Sequence, residues 1–138
     1  VAAAGAKLTT AFTGIGLGSD SARAWRLVHA VGASRAAELL LLPDPFPAET
    51  ALQWGLVHRV TEADRLPEEA RALAVRLAAG PTAAYAAVKQ VLAAAATDGL
   101  ADTLAREAVL QVELGGTTDH AEAVEAFLAK RAPRFTGR

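Results

Sequence analysis

Asp20 stands between two serines, Ser19 and Ser21, at the end of a run with glycine at every second position: Gly14, Gly16 and Gly18. A helical pattern begins at Ser21. Glycines at this spacing permit tight or left-handed backbone and let a ligand approach closely, so an active-site carboxylate could sit here. The alternative is structural: Ser19, Asp20 and Ser21 are all good helix N-caps, and capping is the commonest task of an acid just ahead of a helix. Near the other end, Phe127 and Lys130 lie three apart in a helical pattern, which puts an apolar ring and a cation on one face of one turn. There they serve either a ligand or, respectively, the core and a helix-end charge favoured by the dipole. His29, His58 and His120 show no ligand spacing, so no metal site is expected. Without cysteine, disulfide and thiolate chemistry are excluded.

The elements that must position these residues are mostly helical. Residues 1–4 and 7–13 read as short strand-like pieces separated by Gly5. A helix over 21–31 carries an apolar stripe through Trp25, Leu27, Val28 and Val31, and Gly32 ends it. A second helix covers 34–42. Pro43-Asp44-Pro45-Phe46-Pro47 is an extended loop, since proline disfavours helix at the residue before it. A short helix over 48–54 closes at Gly55, and residues 56–60 form a short strand. Further helices are expected over 67–79, 82–96, 100–114 and 120–131, broken at Gly80-Pro81, Asp98-Gly99 and Gly115-Gly116 and ended by Pro133. In these helices Ala70, Leu73 and Leu77 fall on one face, and Tyr85, Val88, Val91 and Leu92 should face inward. Trp25 and Trp54 read as core residues, and the basic tail, 134–138, as loosely held.

The chain has 138 residues, 52% hydrophobic and 21% charged, with a formal net charge of -1. That is the composition of a globular domain, with no basic field to draw nucleic acid. No run approaches the roughly 20 apolar residues that span a bilayer, so membrane is not expected as a partner and the cytoplasm is the expected location. The chain begins at Val1 and contains no methionine, which leads us to expect a piece of something longer. Several apolar helices with little β-structure suit either a free-standing bundle or the helical half of a larger α/β protein.

Four stretches, in this order and spacing, resemble the C-terminal half of the enoyl-CoA hydratase/isomerase (crotonase) superfamily. They are Ala6-Lys7-Leu8 through Leu17; Leu27-Val28-His29-Ala30-Val31-Gly32 with Ala36-Ala37-Glu38-Leu39; Ala48-Glu49-Thr50-Ala51-Leu52-Gln53-Trp54-Gly55-Leu56-Val57-His58-Arg59-Val60; and Ala126-Phe127-Leu128-Ala129-Lys130-Arg131 with Pro133 and Phe135. The resemblance implies an α/β crotonase fold, of which this chain supplies the end of the ββα spiral core with the active-site loop (1–60) and a C-terminal helical oligomerisation region (61–138). It also implies a preceding half that carries the oxyanion hole, an assembly as a homotrimer or dimer of trimers, and an acyl-CoA thioester as substrate with no separate cofactor.

By the same resemblance, Phe12 stands where hydratases place a glutamate, whereas Ile15-Gly16-Leu17 followed by Asp20-Ser21 resembles members with an aspartate at the start of this helix. The closest likeness is to the phenylacetyl-pathway isomerases. Asp20 is then the base that moves a proton, in a pocket with Phe12, Ile15 and Leu17. Phe127 and Lys130 meet coenzyme A. The rival readings are an enoyl-CoA hydratase, an aryl-CoA dehalogenase in which Asp20 attacks as a nucleophile, and a truncated piece acting only in oligomerisation. One departure stands out: the family commonly follows the aspartate with Ser-Gly-Gly or Gly-Gly, and this chain has Ser21-Ala22-Arg23. An arginine there narrows the pocket or pairs with Asp20, the second turning it from base into salt-bridge partner, as in a family member that has lost activity.

Overall fold

A computed structural model describes all residues, Val1–Arg138. The elements in order are β1 (Ala2–Ala3), β2 (Lys7–Leu8), a 3₁₀ turn (Phe12–Ile15), α1 (Arg23–Leu41), β3 (Phe46–Pro47), α2 (Ala48–Gln53), β4 (Val60–Thr61), α3 (Leu66–Ala78), α4 (Thr82–Ala95), α5 (Leu100–Gly115) and α6 (Thr118–Leu128). They form two compact units, Val1–Arg71 and Ala72–Arg138, where the sequence suggested a change near residue 60.

In the first unit β1 pairs in parallel with β4, Ala2 opposite Val60 and Ala3 opposite Thr61. β2 pairs antiparallel with β3, Lys7 opposite Pro47 and Leu8 opposite Phe46. The strand expected over 7–13 therefore stops at Leu8. Beyond it the hydroxyls of Thr9 and Thr13 donate to the carbonyls of Pro43 (2.8 Å) and Leu40 (2.9 Å), and that of Thr10 donates to Leu39. Ala11 turns left-handed (φ 55°) and Phe12 enters the 3₁₀ turn. Thr10 and Thr13 thereby satisfy carbonyls that the end of α1 leaves without helical partners, and Thr9 bonds one just beyond the helix. The expected loop at 43–47 contributes β3, and the strand expected over 56–60 forms only as Val60–Thr61.

α1 is interrupted at Gly32, whose φ of 77° and ψ of 162° are not helical, so the break expected there is present. The helix begins two residues later than expected, at Arg23, because Ser21 (φ 51°) and Ala22 (φ 56°) are both left-handed. Beneath the strands α2 packs through Ala48 and Ala51, both fully buried, with the Ala48 N–H on the Ala6 carbonyl at 2.8 Å. Trp54 is half-buried, 5.2 Å from the Phe46 ring and under the Arg35 guanidinium. Trp25 is not core: it is exposed and stacks at 4.1 Å on His29 one turn along.

The second unit holds α4, α5 and α6. The chain passes close to the Tyr85 ring at Gly80, where a Cβ would fall 2.2 Å from the tyrosine hydroxyl and the ring would have to move. α4 and α5 pack together over a groove of about 630 Å³ lined by Val88, Val91, Leu92 and Leu104 among others. The inward face expected of α4 is largely open: Tyr85, Val88 and Leu92 are exposed, as are Leu73 and Leu77 on α3. The buried apolar residues of the whole chain are Ala36, Leu39, Ala48, Ala51, Ala87 and Ala126, five alanines and one leucine. So small a core covers little of the apolar surface these helices present.

The tail is not loose. Asp119, only 4% exposed, accepts from the backbone N–H groups of Thr136 (2.7 Å) and Gly137 (2.9 Å) and from the Thr136 hydroxyl (3.3 Å). Its own N–H donates to the Arg138 carbonyl at 2.8 Å. One turn on, Glu122 takes two bonds from Arg131 (2.6 and 2.9 Å) and one from the Arg134 N–H (2.8 Å). The basic side chains suggested a solvated tail; the main chain beside them is what α6 grips. No helix is long and apolar enough to cross a membrane.

Candidate active site

The loop carrying Asp20 is fixed from both sides by α1. At the helix start the Ser19 hydroxyl accepts from the Ala24 N–H (3.1 Å), and the Asp20 carbonyl accepts from the Arg23 N–H (2.9 Å). Ser19 thus does the capping that its neighbour was a candidate for, and the Asp20 side chain makes no cap bond. The Asp20 carboxylate is 58% exposed, and its partner is Arg23, with Oδ1 3.4 Å from Nη2. Of the two effects expected of Arg23, the pairing is present.

Arg23 reaches further than Asp20. Its Nη1 donates to the Thr10 carbonyl (3.1 Å), and the guanidinium carbon lies 4.3 Å from the centre of the Phe12 ring, within the range in which a cation is drawn to an aromatic face. Phe12, Arg23, Thr10, Thr13, Gly18 and Ser19 line a cleft of about 190 Å³ together with Leu40 and Leu41. Asp20 is not part of this lining; its carboxylate is tied to the cleft through Arg23. Of the three residues expected in an apolar pocket only Phe12 lines the cleft. Ile15 is 74% exposed and Leu17 54%, because the 3₁₀ turn and the extended residues after it carry both side chains outward.

Phe127 and Lys130 are close in the chain but do not share one helical turn. α6 ends at Leu128, and Lys130 follows its cap in a left-handed conformation (φ 53°), its N–H on the Phe127 carbonyl at 3.1 Å. Phe127 is 82% exposed. A left-handed lysine costs conformational energy that glycine would not, so its position is held by the bonds around it, including the Arg131 N–H on the Ala126 carbonyl (2.9 Å).

Three carboxylates, Glu69, Asp119 and Glu122, have displaced acidities. Glu122 is lowered to about 2, first by Arg131 and then by the Arg134 N–H. The Thr136 N–H leads the lowering of Asp119, against the opposing effect of burial. Glu69 is lowered first by the Thr61 hydroxyl, with Arg59 and Arg65 adding to it. In the sequence Asp119 and Glu122 carry no signal beyond their place in the last helix. The cue was the acid at the helix start with a Gly-containing segment beyond Pro133, which is visible only once the tail is known to fold back.

The model of the enoyl-CoA hydratase/isomerase family matches residues 1–138, and the chain belongs to that family. It is 43% identical over its full length to the "Probable enoyl-CoA hydratase" of Rhodobacter capsulatus, covering 54% of that protein. It is 38% identical to the 1,2-epoxyphenylacetyl-CoA isomerase of Escherichia coli, again over its full length and 53% of the relative. A crystal structure from Mycobacterium abscessus, described as an enoyl-CoA hydratase/isomerase, superposes with a TM-score of 0.94 at 50% identity, covering 99% of this chain and 52% of that one. The crotonase fold expected from the resemblance is therefore the fold of this chain. The chain spans about half the length of the curated relatives it matches.

Proposed function

We propose that this chain is the C-terminal half of an acyl-CoA isomerase, closest in kind to the phenylacetyl-pathway members, in which Asp20 moves a proton along an enoyl thioester. The observation that carries the proposal is the combination of a largely exposed Asp20 carboxylate, held by Arg23 just ahead of α1, with a phenylalanine where hydratases of the family place a glutamate. One carboxylate suffices for isomerisation: it removes a proton from the carbon next to the thioester carbonyl, the electron pair delocalises as a dienolate, and the same carboxyl returns the proton two carbons further along. Hydration needs a water activated as well. The developing enolate oxygen needs preorganised donors, which the resemblance assigns to the preceding half.

Phe127 and Lys130 are proposed to meet coenzyme A, the first through its exposed ring and the second through its ammonium on a phosphate. The open apolar faces of α4 and α5 support burial in an assembly, a homotrimer or a dimer of trimers. A hydratase is the second reading, favoured by the name of the Rhodobacter capsulatus relative.

The test is an isomerase assay of the full-length protein on a 3-enoyl-CoA beside the matching 2-enoyl-CoA hydration, with Asp20→Asn as the variant. Isomerisation lost in the variant supports the proposal. Hydration that exceeds isomerisation and survives the substitution favours the second reading.

A further inference from the structure

We propose that Arg23 is a positioning residue for Asp20, holding the carboxylate next to the Phe12 cleft that its own guanidinium lines. The inference rests on the reading of Asp20 as the base and extends it to a residue at which this chain departs from the small residues of its resemblance. One guanidinium makes three contacts of different kinds: a hydrogen bond from Nη1 to the Thr10 carbonyl (3.1 Å), the cation over the Phe12 ring (4.3 Å), and Nη2 on Asp20 Oδ1 (3.4 Å). The first two fix the guanidinium to the segment that builds the cleft. The third passes that position to Asp20.

The geometry argues against a merely stabilising ion pair. Asp20 is mostly exposed and the pair is long, and pairs of this kind add little to stability. The backbone between the partners is unusual, with Ser21 and Ala22 both left-handed although neither is glycine. An arginine fork anchored on a carbonyl and a ring supplies direction as well as charge, which a loop of this conformation needs if its acid is to keep one orientation. Arg23 also lines the cleft, whereas Asp20 does not, so the guanidinium is the group that connects the acid to the space a substrate would occupy.

The full-length protein is assayed on a 3-enoyl-CoA as wild type, Arg23→Ala, Arg23→Lys and Asp20→Asn. Arg23→Ala is expected to lower kcat about 10- to 100-fold, the loss that a misplacement near 1 Å produces, with KM and Tm little changed. Arg23→Lys should recover part of the loss, since an ammonium reaches the acid but lacks the planar fork. A crystal structure of Arg23→Ala reads the position directly, and the Asp20 carboxylate should be displaced by about 1 Å or more. An unmoved Asp20, or a kcat equal to or above wild type in Arg23→Ala, overturns the inference; the second result would mark Arg23 as a restraint on the base. Activity lost in Asp20→Asn but kept in Arg23→Ala removes only the role of Arg23, while activity kept in Asp20→Asn removes the reading of the base as well.

Discussion

The Thr10 carbonyl accepts a hydrogen bond from Arg23 at 3.1 Å while the Thr10 hydroxyl donates to the carbonyl of Leu39, so one residue is bonded near both ends of α1. Residues 23 and 39 would stand about 24 Å apart along a straight helix. The contact is possible only because α1 folds at Gly32.

That dependence makes Gly32 the backbone residue most exposed to substitution. Its φ of 77° with ψ of 162° lies in a region reserved almost wholly for glycine, and a Cβ there would meet nothing within 4 Å. The cost of Gly32→Ala is therefore conformational, about 1–3 kcal/mol. Thermal unfolding of Gly32→Ala against Gly18→Ala should show it, since Gly18 also has open space and no positive φ. Equal Tm values for the two variants would contradict the account.

The opposite substitution should help at Ala22. With φ at 56° the alanine bears a left-handed strain that glycine does not, and Ala22→Gly should gain about 1 kcal/mol net of the greater freedom of the unfolded chain. The family resemblance places glycine after the aspartate, and the left-handed backbone at Ser21 and Ala22 is a physical reason for it. Chemical denaturation of the two forms decides the matter, and a destabilised Ala22→Gly would contradict it.

The tail should release in acid. The Glu122 pKa is about 2 in the folded chain against an ordinary 4.5, and Asp119 is also lowered from 3.8. A carboxylate whose folded pKa is depressed stabilises fully above its unfolded pKa, and the contribution falls away as pH drops through the folded value. The latch is thus intact above about pH 4.5 and lost toward pH 2. Protection of the Thr136 and Gly137 amides, which donate to Asp119, measured against the intrinsic exchange rate at each pH, should fall over that window. In Asp119→Ala protection should be low at neutral pH too, with little change left on acidification. Amides that exchange at one rate in both forms at neutral pH would show that the carboxylate does not hold the tail.

Helix positions were legible because the apolar spacing and the glycines that interrupt it are local. Gly32, Gly55 and the Gly80-Pro81 step all sit where the breaks fall. β3 was not legible, since a two-residue strand ending in Pro47 exists only through its partners Lys7 and Leu8. Nor was the hold on residues 134–138, which depends on Asp119 meeting main-chain groups seventeen residues away. At the candidate site, the sequence offered Asp20 as base or cap and Arg23 as its ion-pair partner, and the pairing is present. It did not show that Ser19 takes the capping bond, because three adjacent good caps are equivalent until the backbone chooses among them. The outward turn of Ile15 and Leu17 escaped for the same reason: apolar type alone does not say which way a 3₁₀ turn will face.

The most direct measurement is the rate of 3-enoyl-CoA isomerisation by the full-length protein with Asp20 and with Asp20→Asn, which keeps the shape and removes the base. The account predicts a fall in kcat of at least about 100-fold, with the fold and the affinity for the acyl-CoA retained. A variant that isomerises as fast as the wild type would contradict it.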